Sequence, residues 1–323
     1  MFPFGEKVGF HWPSEASMRL SFARQVEKYL RAKQAADELA YKLPLQEFYQ
    51  KDRGLSWSET IGNEWRSAAQ EPYDIKSDWP EEAYRVLIAD CQRDLAKFYY
   101  QVWALALSGE ARQIERGQLD SFQAIADRQA HWKIKDQFVY LDCGFEMTKV
   151  LRECVRRGHV ASVKLGGRLR KLWRCWTGLK GSPRELFPHT NRKSKTKEFR
   201  IYSIRNFYDV SIGQSEHLAR APWYEWSNLH AKDLLRARRD GDKTAPKFLT
   251  LPDLDPPTDI NSFSAQLHSE YREETYEGGR KRAIWKPINK THPNHHWDIC
   301  AMLMALMAIL GIVGTGEAED TER

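Results

Sequence analysis

Apolar positions fall into short, dense runs separated by long polar stretches. Residues 14–42 are rich in Ala, Leu, Glu, Lys and Arg behind Ser14, a helix-start signal, and predict a helix. Residues 43–80 carry Pro44, Gly54, Gly62, Pro72 and Pro80 and predict an extended connection. Buried strands are then expected over 85–89, 97–107 and 111–118, the last two separated by the Ser108-Gly109 turn. A helix over 120–135 leads to a fourth strand at 138–142. A helix over 146–157 follows the Gly144 turn, and a fifth strand, 160–165, ends at Gly166-Gly167. Three strands in meander order, then strand–helix–strand alternation, argue for a mixed α/β sheet.

Beyond Gly166 the pattern loosens. Residues 166–200 read as a basic loop containing Gly and Pro, 199–210 as a strand or hairpin, and 228–239 as a helix. A Pro-rich loop over 246–257 precedes a mixed stretch, 264–276, and a turn at Gly278-Gly279. The most apolar segment lies inside a terminal helix expected over 293–311, with Asn294 as its cap. It is too short to span a bilayer comfortably and reads as a buried core helix, so no membrane association is expected. The organisation expected is a helix and linker over 1–80, a sheet domain over 81–313 and a polar tail over 314–323.

Composition refines this picture in two places. Lys plus Arg number 50 against 44 acids, a modest +6, but the excess concentrates between Lys164 and Arg205. Lys164, Arg168, Arg170, Lys171 and Arg174, then Arg192, Lys193 and Lys195, interleaved with Trp173 and Trp176, suit a loop that tracks a DNA backbone. A solvated basic surface is the plainer alternative. Lys232, with Arg236 and Arg239, forms a second basic helix face, a type more often solvated than in contact. The five cysteines show no CxxC pairing, lie mostly in apolar runs and read as small buried residues of a reducing compartment.

Three aspartates stand at the edges of apolar runs. Asp90 ends Val-Leu-Ile-Ala-Asp, Asp142 ends Phe-Val-Tyr-Leu-Asp, and Asp298 opens the apolar terminal helix. Ionised carboxylates beside a core cost several kcal/mol unless a cation compensates, and several together call for a divalent metal. Singly, Asp90 and Asp142 also fit turn caps and Asp298 a dipole-favoured first-turn acid. Asp94 reads first as a surface turn residue and second as an auxiliary ligand. His292, His295, His296 and Cys300 lack the spacing of a closed zinc site and read as a helix start.

From about residue 8 to residue 310 the motifs occur in the order of a known family. They are Gly9-Phe-His-Trp-Pro-Ser; Val86-Leu-Ile-Ala-Asp-Cys-Gln; Val139-Tyr-Leu-Asp-Cys-Gly; Val163-Lys-Leu-Gly-Gly; His230-Ala-Lys; Gln266-Leu-His-Ser-Glu; Trp285-Lys; and Asn294-His-His-Trp-Asp. In this the chain resembles the nuclease part of bacteriophage terminase large subunits of the lambda GpA-like group. The resemblance implies a ribonuclease H-like fold: a mixed central sheet flanked by helices, with acids from two strands and a late helix. It implies that Asp90, Asp142 and Asp298 bind two divalent ions, Mg²⁺ or Mn²⁺, and cut concatemeric double-stranded DNA. It also implies a small terminase subunit and a portal as partners, in the host cytoplasm at the procapsid. At His295 the chain departs from the family, which carries an acid there.

The family joins its nuclease to an ATPase motor, but no Gly-x-x-x-x-Gly-Lys-Ser/Thr loop occurs in this sequence. A nuclease fragment or a naturally split protein is therefore expected. Another ribonuclease H-like enzyme, such as a junction resolvase or transposase core, would share the chemistry. A catalytically inert DNA-binding or docking module of a packaging machine is the reading without it.

Overall fold

The computed structural model describes residues 26–31, 73–75, 78–93, 95–165, 168–190, 197–211, 218–239, 246–253, 259–277 and 280–313; within these, the side chains of 160–165, 168–173, 218, 275–277 and 280–282 are not described. The chain divides into two compact units. One comprises Met1–Ile61 with Arg272–Ile284, the other Gly62–Tyr271 with Trp285–Arg323. In the first, residues 26–31 are helical, inside the expected helix. Strands β13 (Glu270–Glu277) and β14 (Arg280–Pro287) pair as a separate two-stranded sheet, most of which falls in that unit.

The second unit is built on an eight-stranded mixed sheet flanked by helices. Its meander is β1 (Glu82–Cys91), β2 (Phe98–Ala106) and β3 (Ala111–Leu119), paired antiparallel. Strand β4 (Val139–Asp142) runs parallel to β1, β7 (Thr177–Ser182) parallel to β4, and β11 (Leu218–Ser227) parallel to β7. The order across the sheet is β10-β11-β7-β4-β1-β2-β3-β12, closed at its edges by β10 (Asn206–Ser211) and the two-residue β12 (Phe248–Leu249).

Side chains of a strand alternate between faces, and β1 uses both. Val86 and Ile88 enter one core, Leu87 and Ala89 the other. The second core is covered by α1 (Phe122–His131) and α2 (Met147–Arg156), through Ile125, Val150, Leu151 and Cys154. The first is covered by α3 (Asn228–Arg239), the short α4 (Phe263–Leu267) and α5 (His295–Ile309). Twelve of the fifteen residues of α5 are buried, on every side of the helix, so it is a central core element. No helix among the described residues is long and apolar enough to cross a membrane.

Several expected elements differ. The strand expected at 160–165 is β5 (Gly158–Leu165), but it pairs with β6 (Arg168–Cys175) in a separate hairpin and not with the sheet. The sheet position beyond β4 belongs to β7, inside the stretch read as a loop. Its composition, Thr-Gly-Leu-Lys-Gly-Ser, conceals a strand because glycine has poor strand propensity. Packing requires the glycine: a Cβ on Gly178 would lie 2.5 Å from Leu151 Cδ2 and 3.0 Å from Cys143 Sγ. Strands β8 (Phe187–Thr190), β9 (Lys197–Arg200) and β12 likewise fall in stretches read mainly as loops, and β11 lies where no element was assigned. All five cysteines are free and buried.

Candidate functional site: an acidic cluster at a sheet edge

Parallel pairing brings two of the three aspartates together. In the β1–β4 register Ala89 lies opposite Leu141, so Asp90 and Asp142 stand side by side one residue further on. Both fall on the alternation that faces α5, with Ile88 and Tyr140 behind them in the core. Asp298 comes from the first turn of α5, and the three share one electrostatic neighbourhood. Burial pushes the Asp142 carboxyl up to about 8, Asp90 and then Asp298 adding to the rise, against the Gly144 N–H and Lys180.

Each carboxylate has different company. Oδ2 of Asp90 accepts from Gln92 Nε2 at 2.9 Å and faces His295 Nδ1 at 2.8 Å. Gln92 Nε2 lies 3.0 Å from the same His295 Nδ1, so that ring nitrogen faces one group that only accepts and one that only donates. The imidazole stacks on Tyr99 with ring centroids 4.1 Å apart, which fixes its plane. Asp142 accepts a single hydrogen bond, from Gly144 N at 3.1 Å. A Cβ on Gly144 would sit 3.4 and 3.5 Å from the two carboxylate oxygens, in ordinary van der Waals contact. The next residue, Phe145, is an exposed aromatic.

Asp298 is held by a lysine. Lys232 Nζ lies 2.8 Å from Asp298 Oδ1 and 2.7 Å from Glu270 Oε2, with the Lys232 and Glu270 side chains only 7% and 6% exposed. Burial works against the Lys232 charge, but Asp298 and Glu270 outweigh it and raise its pKa. Glu270 is saturated: Asn294 Nδ2 donates to Oε1 at 2.8 Å, and Trp297 Nε1 to Oε2 at 3.1 Å. Burial pushes Asp298 up to about 6 in spite of Lys232, with Glu270 and Asp90 reinforcing it.

A buried glutamine anchors α5 above this cluster. Gln101 Nε2 meets His296 Nδ1 at 3.2 Å, while its Oε1 accepts from Trp103 Nε1 at 2.8 Å and lies 3.5 Å from Cys300 Sγ. Burial, then Arg116 and His295, depress His296 to about 3, so it is neutral and structural. Asn294 stands at the N-cap position as expected, but its side chain serves Glu270 and makes no capping bond.

The structure thus brings together Asp90, Asp142 and Asp298. The reading of Lys232 with Arg236 and Arg239 as an outward basic face is corrected. Lys232 and Arg239 are buried, because α3 turns this side toward α4 and α5. Lys164, Arg168, Arg170 and Lys171 lie on the β5–β6 hairpin with undescribed side chains, and Arg174 on β6 is exposed. Asp94, Arg192, Lys193 and Lys195 lie outside the described residues. Sequence reasoning gave no role to Glu270, though it noted the Gln-Leu-His-Ser-Glu stretch, and missed Lys180, one residue past Leu179, the register partner of Asp142.

Oxygen donors of this kind suit Mg²⁺ or Mn²⁺. Asp142 Oδ2 accepts no hydrogen bond among the described residues and is the carboxylate oxygen left open to a cation. As it stands, no group of three or more His, Cys, Asp or Glu side chains among the described residues forms a metal-holding set. Two of the three aspartates are already engaged, by His295 with Gln92 and by Lys232. Comparison of the chain with protein-family models, curated proteins and solved structures returned no match.

Proposed function

We propose that this chain is a divalent-metal-dependent DNA endonuclease of ribonuclease H-like fold, the nuclease domain of a phage terminase large subunit. The observation that carries the reading is the meeting of Asp90 and Asp142, from adjacent parallel strands, with Asp298 from α5. The order of a three-strand meander followed by parallel β4 and β7 supports the fold expected from the sequence resemblance. Two divalent cations, when bound, would activate the attacking water and stabilise the leaving oxygen of a phosphodiester.

The chain's own residues prepare that chemistry. Asp90, Asp142 and Asp298 are the groups that would hold the cations. His295 and Gln92 both engage Oδ2 of Asp90, which orients the carboxylate. Lys180 and Lys232 place positive charge beside Asp142 and Asp298, where an approaching phosphate would meet it. The basic residues named from the sequence would position the duplex, and a small terminase subunit and a portal in the host cytoplasm would direct the cut.

One observation favours a second reading, an inert DNA-docking module: the lack of a ready three-ligand set among the described residues. Plasmid nicking in Mg²⁺ and in Mn²⁺ separates the two. The wild-type chain is expected to relax supercoiled DNA and Asp90→Ala to leave it intact. Equal inactivity of both across metals would favour the docking module, and a preference for branched over linear duplex would favour a junction resolvase.

A further inference from the structure

The Lys232 ammonium sits where a cation would have to act. It bridges a buried carboxylate, Glu270, and a more open one, Asp298, whose side chain is 32% exposed. Glu270 is committed on both oxygens, to Asn294 on one and to Trp297 and Lys232 on the other. It cannot turn toward a new partner without leaving buried donors unsatisfied. Among the described residues Asp298 has only Lys232 as side-chain partner. The two ends of the bridge are therefore unequal: one is fixed and one can be released.

We infer that Lys232 is a resident counter-ion which a divalent cation displaces from Asp298, and that Glu270 is the anchor that keeps the ammonium in the site afterwards. The inference rests on the metal-dependent reading above and adds regulation to it. Before a cation arrives, the lysine stabilises an otherwise uncompensated acid cluster. Once a cation holds Asp298, Lys232 remains paired with Glu270. Lys232 and Glu270 are thus positioning residues, acting through Asp298.

The test is Mn²⁺ binding, read by electron paramagnetic resonance on the full chain without DNA. The decisive variant is Lys232→Met/Glu270→Gln, which removes one charge of each sign and frees Asp298 while leaving the net charge of the site unchanged. It is expected to bind Mn²⁺ about tenfold more tightly than wild type. Adding Asp298→Asn should abolish that gain. Affinity of the double variant within twofold of wild type overturns the inference, since a through-space field alone would give that result. Should the variant not fold, the ¹⁵N resonance of the Lys232 ammonium in the wild-type chain answers instead. It is expected to shift as Mg²⁺ is added, and no shift at concentrations that saturate Mn²⁺ binding overturns the displacement. Tightened binding without DNA cleavage would sink the nuclease reading alone, and cleavage without tightening would sink this inference alone.

Discussion

Asp142 and Asp298 occupy the same cluster yet meet burial differently. Asp142, at the end of β4, has one backbone N–H for company and rises to about 8. Asp298, on α5, has an ammonium at 2.8 Å and rises only to about 6. The contrast shows what a resident cation accomplishes: it makes a buried acid tolerable by compensating charge, where the strand acid has only a weak dipole. It also shows where compensation is missing. The Asp142 side of the site is the one left in deficit, and there an added cation would gain most.

Breaking the lysine side should have the largest effect. Lys232→Met strands Glu270 as a buried charge and leaves the more open Asp298 unpaired, and is expected to destabilise the cation-free chain by about 3–5 kcal/mol, read by urea unfolding. The paired Lys232→Met/Glu270→Gln change should recover most of that loss. Recovery would tie the cost to the stranded Glu270 charge and not to the lost lysine stem.

The acid in deficit predicts the opposite sign. An aspartate raised from 3.8 to about 8 binds a proton more tightly folded than unfolded. Its contribution to stability is present in full below the unfolded pKa and is lost as pH climbs from about 4 to about 8. Asp142→Asn should flatten that decline and stabilise the cation-free protein at pH 8 by about 2 kcal/mol, less than an unscreened shift would give. Asp298 adds a shallower decline of the same sign, ending near 6. A Tm that does not move with pH between 4 and 8 in wild type would contradict both. Gly144→Ala is the smallest of these tests. The added methyl would stand 3.4 Å from Asp142 Oδ1, in ordinary van der Waals contact, so the change is expected to cost about 1 kcal/mol or less, read by urea unfolding. In the Asp142→Asn background that cost should fall further.

The parts of the molecule legible in the sequence were those whose signal is local. Val86–Ala89 is an unbroken apolar run, fully buried, and the strand was expected there. The terminal helix, expected over 293–311, forms as His295–Ile309. Register then made Asp90 and Asp142 neighbours and the packing of α5 added Asp298, which no local pattern states. Strand β7 was missed because its glycines accommodate Leu151 and Asn228, a demand set by elements elsewhere in the chain. Lys232 looked solvent-facing because its helix is basic at 236, 238 and 239, while the acids that draw it inward lie 38 and 66 positions further along. The basic residues of 164–171 joined a hairpin off the sheet, because pairing with β6 satisfied β5 locally.

Helix α5 carries twelve buried residues together with Asp298 and His295, and it lies about two hundred positions after Asp90 in the chain. The same fifteen residues that complete one hydrophobic core also complete the acid cluster. A growing polypeptide therefore holds no assembled cluster while this helix is still unmade, and any lesion that unseats the helix disperses the acids as it opens the core. Closure of that core and completion of the acid cluster are therefore a single event, not two.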